Sequence, residues 1–187
     1  MTDDLVSTLR AIVDRLNQLG IPYMVVGSVA ALAHGRSRAT QDFDLVVDVD
    51  ATGLRALVAS LPVERFYVSE EAALDALRRK TMFNVIDLDS GWKVDLVVRK
   101  GREFSRTEFA RRLELDLLGL RVFVATLEDT IIAKLEWAKL GGGSARQLED
   151  VRELLALAGG RLDTAYVERW VEELGLEPEW RAIQRIA

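Results

Sequence analysis

A chain of 187 residues, 49% of them apolar, can bury one sizeable core or one core with a small helical appendage. Its net charge of -5 argues against general nucleic-acid binding, because duplex affinity comes mainly from neutralising phosphates. Cysteine is absent and His34 is the one histidine, which excludes disulfides, thiolate metal sites, a cysteine nucleophile and a histidine-rich zinc site. Any metal must therefore rest on carboxylates, as suits Mg2+, Mn2+ or Ca2+.

No apolar run reaches the ~18 residues of a membrane helix and no secretory h-region opens the chain, so the expectation is a cytoplasmic protein without membrane contact. Residues 3–18 carry Leu5, Leu9, Ile12, Val13 and Leu16 at helical spacing, and Gly20 and Pro22 end that helix. "IPYMVVG" reads as a strand. "SVAALAHG" reads as a helix capped by Ser28, with His34 at its end. "QDFDLVVDV" is a strand, with Asp48 and Asp50 as its exit and the next helix cap. "TGLRALVASL" is a helix ended by Pro62. "ERFYV" reads as a strand and "SEEAALDALRRK" as a helix with a capping-box start.

"FNVIDLDSGWKVDLVV" predicts a hairpin around Asp-Ser-Gly, with Asp87 and Asp89 as routine turn residues. A short helix at "EFSRTEFARR" and two strands around Leu118-Gly119 follow. From Thr126 the pattern is helical throughout. "TLEDTIIAKLEWAKL" is broken by "GGGS" and restarts with a Ser144/Gln147 capping box, and two more helices follow. Trp137, Trp170 and Trp180 are expected to pack this segment. The class is α/β (α+β), with residues 1–125 as the α/β core and 126–187 as a helical segment packed on it.

Two features point to phosphate chemistry. Residues i and i+2 of a strand share a face, so Asp42 and Asp44 project together while Phe43 and Leu45 turn inward. Two like charges side by side suit a wet strand end or a bound cation. Across a spacer of thirteen residues, Gly27-Ser28 ends a strand and opens a helix. A glycine there allows close approach of a ligand, and the helix start offers free N–H groups and a hydroxyl. In the hairpin, "WKVDLVV" puts Asp95 and Lys93 on one face. If its strand lies beside that of Asp42, three carboxylates converge at one edge of a mixed sheet, enough for two divalent cations in an in-line phosphoryl displacement. Arg36 and Arg38 lie between the phosphate seat and the acidic pair, where they suit a triphosphate; Thr40 shares that loop.

The pattern Val26-Gly27-Ser28, Asp42-Phe43-Asp44 and Asp95 resembles the nucleotidyltransferase superfamily of the DNA polymerase β type. The stretch "HGRSRATQDFDLVV" looks most like its AbiEii-type toxin branch and bacterial relatives, over about residues 20–155. It differs from the minimal MntA-like branch in having Ala31 and Leu32 where that branch has an arginine, and Gln41 before Asp42. The resemblance implies a mixed nucleotidyltransferase-type sheet flanked by helices. It implies an enzyme using Mg2+ (or Mn2+) and a nucleoside triphosphate, bound through Gly27, Ser28, Arg36, Arg38 and Lys134.

Asp42 and Asp44 would hold both cations, and Asp95 would complete the second site and act as base. "EDTIIAKLEWAK" and "RQLEDVREL" match the toxin branch in kind at Lys134, Arg146 and Asp150, although Arg146 and Asp150 also suit a plain i,i+4 pair. Loss of Lys134 is expected to cost rate more than fold. The acceptor stays open between RNA, protein and a small molecule. A toxin implies an antitoxin partner. The alternatives are an aminoglycoside or lincosamide nucleotidyltransferase, and a non-catalytic nucleotide-binding or interaction module.

Overall fold

Apolar residues alternating along short β-branched runs build a seven-stranded mixed sheet among the residues described by the computed structural model, 2–36 and 42–184. Its strands are β1 (Tyr23–Val26), β2 (Asp42–Val47), β3 (Phe66–Val68), β4 (Met82–Asp87), β5 (Lys93–Val98), β6 (Leu113–Leu117) and β7 (Leu120–Val124), in the order β3-β4-β5-β2-β1-β7-β6. β2 pairs in parallel with β5 and antiparallel with β1, and β1 pairs in parallel with β7. The predicted hairpin is β4–β5, closed at Asp87 and Trp92, where each residue lies where the alternation put it.

One face of the sheet is covered by α1 (Thr2–Gln18), α3 (Ala51–Ser60) and α4 (Glu70–Arg79). Leu9, Ile12 and Leu16 of α1 pack there with Leu54 and Leu57, against Val25, Phe43, Leu45, Val94 and Leu96. The caps predicted at Asp50 and Ser69 both form, each side chain accepting from a backbone N–H three residues on. Asp87 is more than a turn residue. It is fully buried and accepts from Thr8 and from Arg65 (2.8 Å), which ties α1 to the hairpin. Burial works against its charge, but those donors outweigh it and hold the carboxyl below its ordinary range.

The other face carries α2 (Gly27–Ala33), α5 (Glu103–Arg111) and α6 (Leu127–Leu140). α7 (Ala145–Ala158), α8 (Thr164–Glu173) and α9 (Glu177–Gln184) pack outside α6. Ala31 of α2 and Phe104 of α5 join Ile131, Leu135, Val151, Leu154, Trp170 and Trp180 in a second apolar cluster. The Ser144 side chain makes no cap bond, contrary to expectation. Trp137 also departs from expectation: it is 60% exposed, because it and Leu140 lie on the α6 face that no other helix covers. Among the described residues no helix is long and apolar enough to cross a membrane.

Between α5, α6 and α8 lies a buried polar knot. Asp129 accepts from Thr126 Oγ1 (2.7 Å), Tyr166 Oη (2.6 Å) and Arg111 Nε (3.2 Å), so its charge is matched. Beside it Glu108 is 9% exposed; burial first, and the Asp129 charge second, push its carboxyl up to about 8.

Candidate active site

The β2–β5 register settles the geometry of the acidic residues. Asp44 pairs with Asp95 and Asp42 with Lys93 across two parallel strands, so all four project from the face carrying α2, α5 and α6. One expectation changes in detail. The carboxylates stand on the central strands, not at an edge, because β4 and β3 extend the sheet beyond β5. Asp42 is also more exposed than its fellows, its side chain at 55% against 8% for Asp95.

Gly27 closes over this pair. β1 ends at Val26, the register partner of Asp44, and α2 begins directly at Gly27. The chain turns from strand to helix by taking φ to 66° at Gly27, which is why Val26 occupies the cap position and Ser28 lies inside the first turn, not at its cap. A Cβ at residue 27 would collide with Asp44 Oδ2. The glycine seen in the sequence thus has a second reason to be there: the carboxylate lies against its backbone.

Burial pushes the Asp44 carboxyl up to about 6, and the charges of Asp95 and Asp42 add to the rise. Asp95 is held by Asn84 Nδ2, its register partner on β4, and by Lys93 Nζ at 3.1 Å. The same ammonium lies 3.7 Å from Asp42 Oδ1. Burial alone would lower the Lys93 ammonium, but the Asp95 bond and the acidic charges around it raise it above its ordinary range. Among the described residues no three acidic or histidine side chains stand close enough together to form a metal cage by themselves.

A second cluster faces the first. Lys134 of α6 is buried and donates to Asp150 Oδ2 of α7 (2.7 Å). Asp150 Oδ1 takes Arg36 Nη2 (2.6 Å), and Arg36 Nε reaches Glu153 (2.6 Å). Desolvation lowers the Lys134 ammonium more than its partners raise it, and its charge is felt at Asp44. Arg36, expected in the loop between the phosphate seat and the acidic pair as a triphosphate contact, is buried beneath α7 with its guanidinium on Asp150 and Glu153. Arg38 and Thr40 lie outside the described residues. Arg146 is exposed, and Asp150 pairs across helices with Lys134 and Arg36. His34 acts as the end of α2, its Nε2 lying 2.8 Å from Ala125 O, in keeping with the sequence reading.

Three participants escaped the sequence: Asn84, Gln147 and Glu153. Asn84 was within reach of inference, since the Asp-Ser-Gly turn fixes the hairpin register and puts an amide opposite Asp95. Glu153 and Gln147, which lies 3.4 Å from Lys134, carry no local signal, because their partners come from distant helices.

No sequence family and no curated protein matches the chain. Solved structures do. The antibiotic-resistance factor ANT(2'')-Ia in solution aligns at 17% identity over 99% of this chain and 97% of its own, with a TM-score of 0.59. A crystal structure of an antigenic nucleotidyltransferase-like protein from Paracoccidioides brasiliensis aligns at 18% identity over 98% and 93%, with a TM-score of 0.58. The lincosamide antibiotic adenylyltransferase LnuA, solved with lincomycin, aligns at 12% identity over 80% and 95%, with a TM-score of 0.52. The chain has the nucleotidyltransferase fold, and its structural neighbours include antibiotic-modifying enzymes.

Proposed function

We propose that this protein is a Mg2+-dependent nucleotidyltransferase that moves a nucleoside monophosphate from a nucleoside triphosphate to a hydroxyl acceptor. The observation that carries this reading is the in-register pairing of Asp44 with Asp95 across β2 and β5, with the Gly27 backbone closed over Asp44. The donor set fits the ion. Mg2+ takes one or two carboxylates together with substrate phosphates, and needs no closed protein cage. Asp44 and Asp95 supply those carboxylates, with Asp42 beside them, and the unfavourable charge on Asp44 is the kind a cation relieves. The bound ion supplies charge neutralisation of the phosphates during displacement.

The chain's own groups do the rest. The Gly27-Ser28 backbone and the Ser28 hydroxyl seat the phosphates. Lys134 supplies positive charge from the facing helix, fixed by Asp150, and Arg36 reinforces it from the same cluster. Asp95 takes the acceptor hydroxyl's proton as the oxygen attacks the α-phosphorus and pyrophosphate leaves. The face of β4 beyond Asp95 is open, with Asn84 and Met82 exposed, so an acceptor can approach there. Such a reaction belongs in the cytoplasm, where nucleoside triphosphates are abundant.

The test is direct. Protein, Mg2+ and α-labelled nucleoside triphosphates are incubated with aminoglycosides, lincosamides, tRNA and protein acceptors. Label transfer with pyrophosphate release is expected, and chelation should abolish it. Absence of transfer and of Mg2+-dependent nucleotide binding would leave the non-catalytic module as the better reading. End-to-end likeness to ANT(2'')-Ia, whose crystal structure holds adenylyl-2''-tobramycin, favours a cationic small molecule, as does this chain's acidity. The toxin-like reading, with its antitoxin partner, rests on Lys134 and Asp150, and tRNA or protein labelling would select it.

A further inference from the structure

Lys93 already occupies the position of a cation. Its ammonium lies 3.1 Å from Asp95 Oδ2 and 3.7 Å from Asp42 Oδ1, on the face where Asp44 also projects. Its side chain is 37% exposed and rises from the first residue of β5, beside the open face of β4. These ion pairs hold its outer end, so it can swing outward without disturbing the core.

Resting on the nucleotidyl-transfer reading, we propose that Lys93 is a tethered counter-cation. It guards the carboxylates against a bare metal ion and yields only to a metal–triphosphate complex, whose phosphate oxygens then receive its ammonium. A bare divalent ion entering the site must drive a positive charge away from two carboxylates and gives that charge no new partner. A metal–nucleotide complex brings negative oxygens along, so the displaced ammonium exchanges one anion for another. Metal and nucleotide thus enter together, and Lys93 turns an exposed acidic face into one that discriminates between the free ion and its nucleotide complex.

The experiment measures Mn2+ binding by paramagnetic resonance of the free ion, with and without non-hydrolysable analogues of the four nucleoside triphosphates. Wild type is compared with Lys93→Met, Lys93→Gln and Lys93→Arg, and circular dichroism melting checks that each is folded. Without nucleotide, Lys93→Met and Lys93→Gln should bind Mn2+ about tenfold tighter than wild type, a difference of about 1.4 kcal/mol. With Mn2+ saturating, both should bind the analogue about tenfold more weakly, while Lys93→Arg follows wild type. Equal Mn2+ affinity in wild type and Lys93→Met, with analogue binding intact, would overturn the guard role and leave the transfer reading standing. Failure of every protein to bind Mn2+, with or without analogue, would overturn the transfer reading and this inference with it.

Discussion

A methyl group at residue 27 would meet a carboxylate oxygen and would have to be carried on a backbone already in the left-handed region. Positive φ costs an L-residue roughly 1–2 kcal/mol, which in a chain of this size lowers the melting midpoint by about 2–8 °C. Gly27→Ala should therefore melt modestly earlier but lose transfer far out of proportion, by a factor on the order of 10² or more, because Asp44 is pushed out of line. Equal small losses in both would mean that the Asp44 position does not matter. Asp44→Asn separates charge from shape. It should keep the fold and abolish transfer, since an amide does not hold a divalent cation as a carboxylate does.

Asp44→Asn should also raise the metal-free melting midpoint at pH 7.5. The folded Asp44 pKa of about 6 exceeds the ordinary 3.8, so its contribution to stability is fully present below 3.8 and lost as pH rises through about 6. At pH 4 the advantage of the variant should vanish. Full transfer activity in Asp44→Asn would place the catalytic centre elsewhere. At this scale the sequence was informative within each strand, since alternation put Asp42 with Asp44, and Asp95 with Lys93, on one face of its own strand. What it could not show was that Lys93 stands between two of them, because that depends on which strands are neighbours.

Between elements, the decisive contact is the clasp of α6, α7 and the segment that follows α2 around Asp150, with both its oxygens buried against Lys134 and Arg36. Lys134→Ala was expected to spare the fold. Burial of the pair changes that, because removing one partner of a buried ion pair costs about 3–5 kcal/mol when nothing replaces it. Arg36 remains to balance Asp150, so the loss in Lys134→Ala should be smaller than in Asp150→Ala, which takes the carboxylate from buried Lys134 and leaves Arg36 with Glu153 alone of its two carboxylates. The double variant Lys134→Met/Asp150→Leu should recover most of the melting midpoint of the Asp150 variant and none of the turnover. Recovery of both would make the clasp purely structural. The amphipathic stripes of α6 and α7 and the "GGGS" reversal foretold that these helices meet. Their local pattern offered an Arg146–Asp150 pair along one helix, and the family resemblance alone grouped Lys134 with Asp150, because ion pairs across helices leave no periodic trace.

For the molecule as a whole, pH should be a strong lever through Glu108. Its folded pKa of about 8 lies above the ordinary 4.5, so the stability it contributes is fully present below 4.5 and is lost as pH rises through about 8. Across that window it adds a downward slope of at most about 1.4 kcal/mol per pH unit, which Glu108→Gln should remove in denaturant titrations at pH 5 and 8. An unchanged slope in the variant would assign the pH dependence to other groups. The overall class, an α/β part followed by helices, was legible because strand and helix periods differ so clearly along the chain. The strand order was not, since it is set by which apolar faces find each other across long stretches of sequence. One consequence of the parallel β2–β5 pairing concerns time. Asp44 and Asp95 are separated in the chain by α3, β3, α4 and β4, and contacts of such separation close late. A chain caught midway through refolding should therefore show helices and the local β4–β5 hairpin before the β2–β5 pair on which the proposed nucleotide site depends. On refolding, helical signal should return before nucleotide binding does, and simultaneous recovery would place the β2–β5 pairing early.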